Sequence, residues 1–195
     1  MISVVISVGA TALALIVALL AAYPLARFRL RGSRVILLAL AGTQLIPPVA
    51  LAIPLMWVII RADLRNTVPG LVLVNAAFWA PILVWLVRGA FLAVPTNLEA
   101  AARIDGSSRL GALFRITLPT AAPAIAAAAA IAFVGIWNDF VFVALIGGRD
   151  TSTLPRYLGQ SSAPPVHVLA AAIVMTVAPC IAVVVLIRRR ILGSA

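Results

Sequence analysis

Lysine is absent from this chain, and cysteine, histidine and glutamate occur once each. Each shortage closes off a class of protein. Without lysine there can be no Gly-x4-Gly-Lys-Ser/Thr phosphate loop, so the chain is not itself an ATPase of that kind. With Cys180 alone, neither an intramolecular disulfide nor a thiolate metal cluster can form, and its place inside an apolar run reads as a small core residue. His167, at the edge of the last apolar run, reads as a helix-start or interface residue rather than a metal ligand. No metal site and no catalytic residue are expected. Charge is scarce as well: 10% of residues are charged and 64% hydrophobic, with a mean hydropathy of +1.18, whereas a soluble domain carries about 25% charge. The chain is therefore expected to be an integral membrane protein. A net charge of +10 would suggest nucleic acid in a soluble protein, but here every basic residue is an arginine, and most stand at the ends of apolar runs. No nucleic-acid partner is implied.

What the chain does contain is long apolar sequence. A helix needs about 20 apolar residues to cross the hydrocarbon, and five runs reach that length, near 2–26, 35–60, 68–87, 121–146 and 166–187. They are too long and too uniformly apolar for the alternating strands of a membrane barrel. The fold class is an all-α membrane protein with five transmembrane helices. The first run carries no charge and exceeds the roughly 7–15-residue core of a cleavable signal, so it is expected to remain as a span.

Orientation follows from the arginines. Arg27, Arg29, Arg31, Arg34, Arg88, Arg103, Arg109, Arg115 and Arg188, Arg189 and Arg190 fall on one side, against Arg61, Arg65, Arg149 and Arg156 on the other. The positive-inside rule places the richer side in the cytoplasm, with the N-terminus outside and the C-terminus inside. Prolines at 47, 48, 54, 81 and 179 are expected to kink the spans, which either shapes a cavity or is simply tolerated in lipid. The run from Gln44 to Pro54, with three prolines and a glutamine, is the densest of these.

Residues 99–119 read EAAARIDGSSRLGALFRITLP and form an island of charge. Holding Glu99, Arg103, Asp105, Arg109 and Arg115 in mid-bilayer would cost on the order of 12–17 kcal/mol, so the island lies outside the hydrocarbon. On the orientation above it is cytoplasmic. Thr96 and Glu99 have the spacing of a capping box, so a helix is expected to start here. Leu98, Ala101, Ala102 and Ile104 give it an apolar side and Gly106 ends it. Ser107 or Ser108 can cap a second stretch running through Leu110, Leu113, Phe114 and Ile116. On these grounds alone the island is either a docking element or an ordinary interfacial loop.

The same segment closely resembles the cytoplasmic EAA loop of permease subunits of binding-protein-dependent ABC importers. Gly106, a nine-residue gap and then Ile116, Leu118 and Pro119 match the signature, and Asp105 precedes the glycine as in the sugar-importer branch. The likeness extends to residues 21–28, the Pro47, Pro48 and Pro54 span, residues 64–67, Pro81 and the Phe133-Val-Gly-Ile-Trp-Asn-Asp-Phe140 segment, all similar to maltose-type carbohydrate permeases. The resemblance implies a type I ABC importer permease core, a single transmembrane domain over 1–195 with a coupling loop at 93–119. Glu99, Ala100, Ala101, Ala102, Arg103, Ile104, Asp105, Gly106, Ile116, Leu118 and Pro119 would then couple to a cytoplasmic ATPase dimer. It further implies a second permease subunit, an extracytoplasmic solute-binding protein, a small-molecule sugar and surrounding membrane lipid as partners, in a bacterial-type plasma membrane. ATP would sit on the partner ATPase, with no cofactor on this chain. Two departures stand out. The family's usual glutamate position is Ala100 here, with Glu99 one residue earlier, and the chain begins at what would be the second span of many sugar permeases.

For the substrate path, Gln44, Asn75, Trp137, Asn138 and Asp139 are the candidates. Asp139 is an ionisable residue at a span, and an aromatic ring beside hydrogen-bonding groups suits a sugar. Trp137 as an interfacial anchor and Asp139 as a helix exit are the competing readings. Trp79 and Trp85 either line a path or pack between helices. A permease for a non-sugar solute and a truncated, transport-inactive module are the alternatives. An ion-coupled carrier would place paired charges within its spans, and only Asp139 comes close.

Overall fold

The computed structural model describes residues 2–148, 151–160 and 165–192, with only the backbone of Gln160, Val184 and 186–192. Arg149 lies outside the described residues, as do the side chains of Arg188, Arg189 and Arg190. The described residues are helical throughout, joined by short turns. The helices are α1 Ile2–Arg27, α2 Ser33–Thr43, α3 Pro48–Arg61, α4 Val68–Ala93, α5 Thr96–Ile104, α6 Arg109–Ala112, α7 Leu118–Trp137, α8 Val141–Ile146, α9 Leu154–Gln160 and α10 Val166–Leu192, and a π-helical turn at Leu113–Thr117 joins α6 to α7.

The centre of the bundle is the pairing of α1 with α4, against which α7 packs. Ala10, Ala14, Ala18 and Ala22 of α1 recur every fourth residue and are all fully buried. That spacing places them in one stripe along the helix. Lipid is as apolar as leucine, so helices in a membrane associate through close packing, which small side chains permit. Larger residues of α4, among them Leu71, Leu83, Val87 and Phe91, are buried in the same core. On α7 the stripe is Ala121, Ile125, Ala128, Ala132 and Ile136, and at Gly135 an added Cβ would stand 1.8 Å from the Trp79 ring. The glycine is what lets α7 meet α4 there.

Four helical runs are long and apolar enough to cross a membrane: Ile2–Arg27, Val68–Ala93, Arg109–Trp137 and Val166–Val183. The run expected at 35–60 is not one straight helix. It is broken into α2 and α3, which meet at 100°. Pro47 and Pro48 account for the break: neither has an amide to donate and each disfavours helix in the residue before it, so the chain turns at 44–47. At Pro54, Pro81 and Pro179, by contrast, the helices continue. The run expected at 121–146 also divides, with α7 ending at Trp137 and α8 restarting at Val141.

Candidate functional site

The polar island forms a helix, a turn and a second helical stretch, as its sequence predicts, but its anchoring is different. Pro95 rather than Thr96 occupies the N-cap of α5, and no side chain caps it. The capping box does not form because the Glu99 carboxylate is drawn to stronger partners. Its Oε1 accepts from Arg27 Nε at 2.7 Å and from the Thr117 hydroxyl, and Arg27 also donates to the Val94 carbonyl at 3.0 Å. The side chains of Arg27 and Glu99 are only 6% and 13% exposed. A charge-assisted bond at that length and burial is among the stronger polar contacts a protein makes. One carboxylate thus ties α5 to the end of α1 and to the π-helical turn ahead of α7. Seventy-two residues separate Arg27 from Glu99, so no local spacing in the sequence could reveal the pair.

This clasp fixes which side of α5 faces out. Residues three and four apart share a helix face, so Thr96, Ala100 and Arg103 lie on the Glu99 side. All four line a cleft of about 250 Å³ with Tyr23, Phe28, Arg109 and Ala112. On the far side stand Asn97, Leu98, Ala101 and Ile104, every one exposed, with Ile104 87% exposed. No residue of α5 is buried. A nine-residue helix is marginal alone in water; here the clasp holds one face while an apolar side chain projects from the other.

Gly106 ends the helix at φ +87°, a conformation that costs a residue with a side chain about 1–2 kcal/mol. Ser108 then caps the next stretch, its hydroxyl accepting from the Gly111 amide at 3.0 Å. Pro119 cannot donate to the Arg115 carbonyl; the chain widens to a π turn over Leu113–Thr117, and the Thr120 hydroxyl donates to the Ile116 carbonyl at 2.7 Å. Ile116 and Leu118 are half-buried and Pro119 is exposed. The Ile116-Thr-Leu-Pro119 segment is therefore the joint by which the island enters α7, and Thr117, fully buried, is its tie to Glu99.

The five residues predicted for a substrate path separate into two groups. Asn75, Asn138 and Asp139 line one cavity of about 280 Å³ with Trp79, Phe140 and Pro48 of α3. Asp139 accepts from Asn75 Nδ2 at 3.3 Å through one oxygen and from the Phe142 amide at 3.2 Å through the other. It thereby serves an amide in the first turn of α8 from just ahead of the N-cap, Phe140. Asn75 is fully buried, and its Oδ1 has no hydrogen-bond partner among the described residues. Gln44 and Trp137 do something else. Gln44 Nε2 donates to the Phe78 carbonyl at 3.4 Å, beside Pro81 in a neighbouring cavity. Trp137 is buried, and its indole N–H donates to the Thr176 carbonyl at 3.0 Å, three residues before Pro179. Each side chain donates to a backbone carbonyl three residues before a helix proline, one residue past the carbonyl of Ala77 or Met175 that the proline leaves without its amide. Cys180, half-buried, lies 3.8 Å from Asn138 Nδ2, and His167 is exposed at the start of α10.

The sequence profile of the family described as "Binding-protein-dependent transport system inner membrane component" matches residues 10–193. A putative ABC transporter permease protein of Streptomyces antibioticus is 36% identical over 194 residues, covering 97% of this chain and 84% of the relative. The permease protein of a diacetylchitobiose uptake system in Streptomyces coelicolor is 34% identical over 198 residues, covering 98% of this chain and 66% of its own length. Among solved structures, an inward-facing form of the MetNI methionine ABC transporter superposes with a TM-score of 0.83 at 16% identity, over 100% of this chain and 93% of that one. At that identity the likeness is one of fold.

Proposed function

This chain belongs to the family of binding-protein-dependent transport system inner membrane components, and from that membership we propose that it forms, with a second permease, the path by which an ABC importer carries a carbohydrate across a bacterial-type inner membrane. It is a multi-pass membrane protein with the fold of type I importer permeases. In this reading the chain is one transmembrane domain with its coupling loop at 93–119, an outer N-terminus and a cytoplasmic C-terminus, and the bent α2–α3 pair supplies the fifth span. Hydrolysis of ATP occurs on a separate cytoplasmic ATPase dimer, and an extracytoplasmic protein delivers the solute. Carbohydrate is favoured by the diacetylchitobiose relative and by the polar and aromatic groups around Asp139 and Trp79.

The observation that carries the reading is α5: clasped to α1 and α7 on one face, it presents Asn97, Leu98, Ala101 and Ile104 on the other. That outer face is the surface we assign to the ATPase. Force applied to it passes through Glu99 to the ends of two spanning helices, the kind of rigid-body switching that opens one side of a membrane path and closes the other. Ala102, Asp105 and Gly106 set the end of this face, and Ile116, Leu118 and Pro119 conduct it into α7. Asn75, Asn138 and Asp139 would contact the solute, whereas Gln44 and Trp137 brace the helices around it.

The test is to co-express the chain with its ATPase and second permease and measure uptake of radiolabelled oligosaccharide and co-purification of the ATPase. Ile104→Arg and Gly106→Arg are expected to abolish uptake and weaken co-purification while membrane insertion is unchanged. Normal uptake in both variants would overturn the docking assignment.

A further inference from the structure

A second cavity adjoins the cleft behind α5 at Tyr23, and the two differ sharply in chemistry. The first, of about 250 Å³, holds Arg103 and Arg109 together with the Arg27–Glu99 pair, whose charges cancel each other. Two guanidinium groups are left over, and Arg109 is steadied over the Phe28 ring at 5.4 Å. The second cavity, of about 340 Å³, is lined by apolar side chains such as Ile16, Leu20 and Phe114, and Tyr23 borders both. Ile16 and Leu20 belong to the spanning helix α1, and Leu118 on the opposite wall opens the spanning helix α7. An anionic cleft-filler and an apolar tail are thus called for side by side, at the Arg27 end of α1.

We propose that this composite cavity is a binding site for an anionic phospholipid, its phosphate held between Arg103 and Arg109 and one acyl chain lying along Ile16, Leu20 and Phe114. Basic pockets between spanning helices at the membrane surface suit such headgroups, and two arginines offer planar donor arrays to phosphate oxygens. A protein partner fits less well, because its apolar part would have to enter the layer of α1 and α7 that lipid fills. The docking face of α5 also points the other way, so Arg103 is free to serve this cleft. The lipid would fasten the clasped end of α1 to the membrane it leaves.

The test reconstitutes the full chain in phosphatidylcholine nanodiscs and photolabels it with a phosphatidylglycerol bearing an acyl-chain diazirine. Label is expected in residues 16–23 and 110–118, competed by excess phosphatidylglycerol but not by phosphatidylcholine. Labelling should fall by about fivefold for each arginine removed in Arg103→Gln and Arg109→Gln, the ratio that one cation near an anionic surface contributes. Leu20→Trp, which fills the apolar half, should reduce it with both arginines in place. Equal competition by phosphatidylcholine, or undiminished label without the arginines, would mean ordinary boundary lipid and sink the proposal. Competition by inorganic phosphate alone would make it a free-anion site, and loss of label on adding the ATPase would assign the cleft to that interface; either overturns it. The readout is lipid binding by this chain alone, so failure here leaves the transport reading standing, and the reverse holds too.

Discussion

Glu99 joins elements far apart in the chain. Its neighbours in sequence suggest a helix cap, yet the fold gives its carboxylate to Arg27 and Thr117. Removing one member of a buried ion pair strands the other, at a cost on the order of 3 kcal/mol. Glu99→Ala is therefore expected to release α5: hydrogen–deuterium exchange at the amides of 96–104 should accelerate and uptake should fall about tenfold or more. Exchanging the pair, as Glu99→Arg with Arg27→Glu, should restore part of the protection. If the carboxylate served the ATPase directly, Arg27→Ala would leave both exchange and uptake unchanged, and that result would refute the clasp.

At the scale of elements, the contact between α4 and α7 depends on Gly135. Any side chain there meets the Trp79 ring, starting with a Cβ at 1.8 Å. Overpacking of this sort typically costs about 1–3 kcal/mol. Gly135→Val should lower the melting temperature of the purified protein, and a second change, Trp79→Ala, should recover part of the loss because it vacates the same space. Additive destabilisation in the double variant would show that the two helices do not meet at this point. The proline-rich α2–α3 pair makes a related point: its prolines were visible in the sequence, but whether each would kink, break or be carried through depended on its neighbours. Pro47 and Pro48 stand together at a 100° bend, while α4 continues through Pro81, with Gln44, the C-cap of α2, donating to the Phe78 carbonyl three residues before it.

For the whole molecule the open prediction is orientation. In a Cys180→Ala background, Ser107→Cys in the island should react with an impermeant maleimide only from the cytoplasmic side, and Ala62→Cys between α3 and α4 only from the outside. Reversed labelling would reject the arginine-based topology. Both positions border exposed segments, so access should depend on side and not on burial.

Apolar length, charge placement and a short spaced motif are properties of the chain read in order, and they already carried the membrane class, the all-helical character, the place of the polar island along the chain and the family. The sequence also located Gly106 and narrowed the following cap to Ser107 or Ser108, each a matter of a few adjacent dihedrals and hydrogen bonds. What Glu99 holds, which face of α5 is free, that Asn75 and Asp139 share a cavity, and that Gln44 and Trp137 donate to backbone carbonyls instead of lining it all follow from how the helices pack. Those facts rest on pairs 64, 72, 34 and 39 residues apart. A carboxylate, an amide or an indole takes whichever partner the packed helices bring within about 3 Å, and no periodicity along the chain encodes which helix that will be.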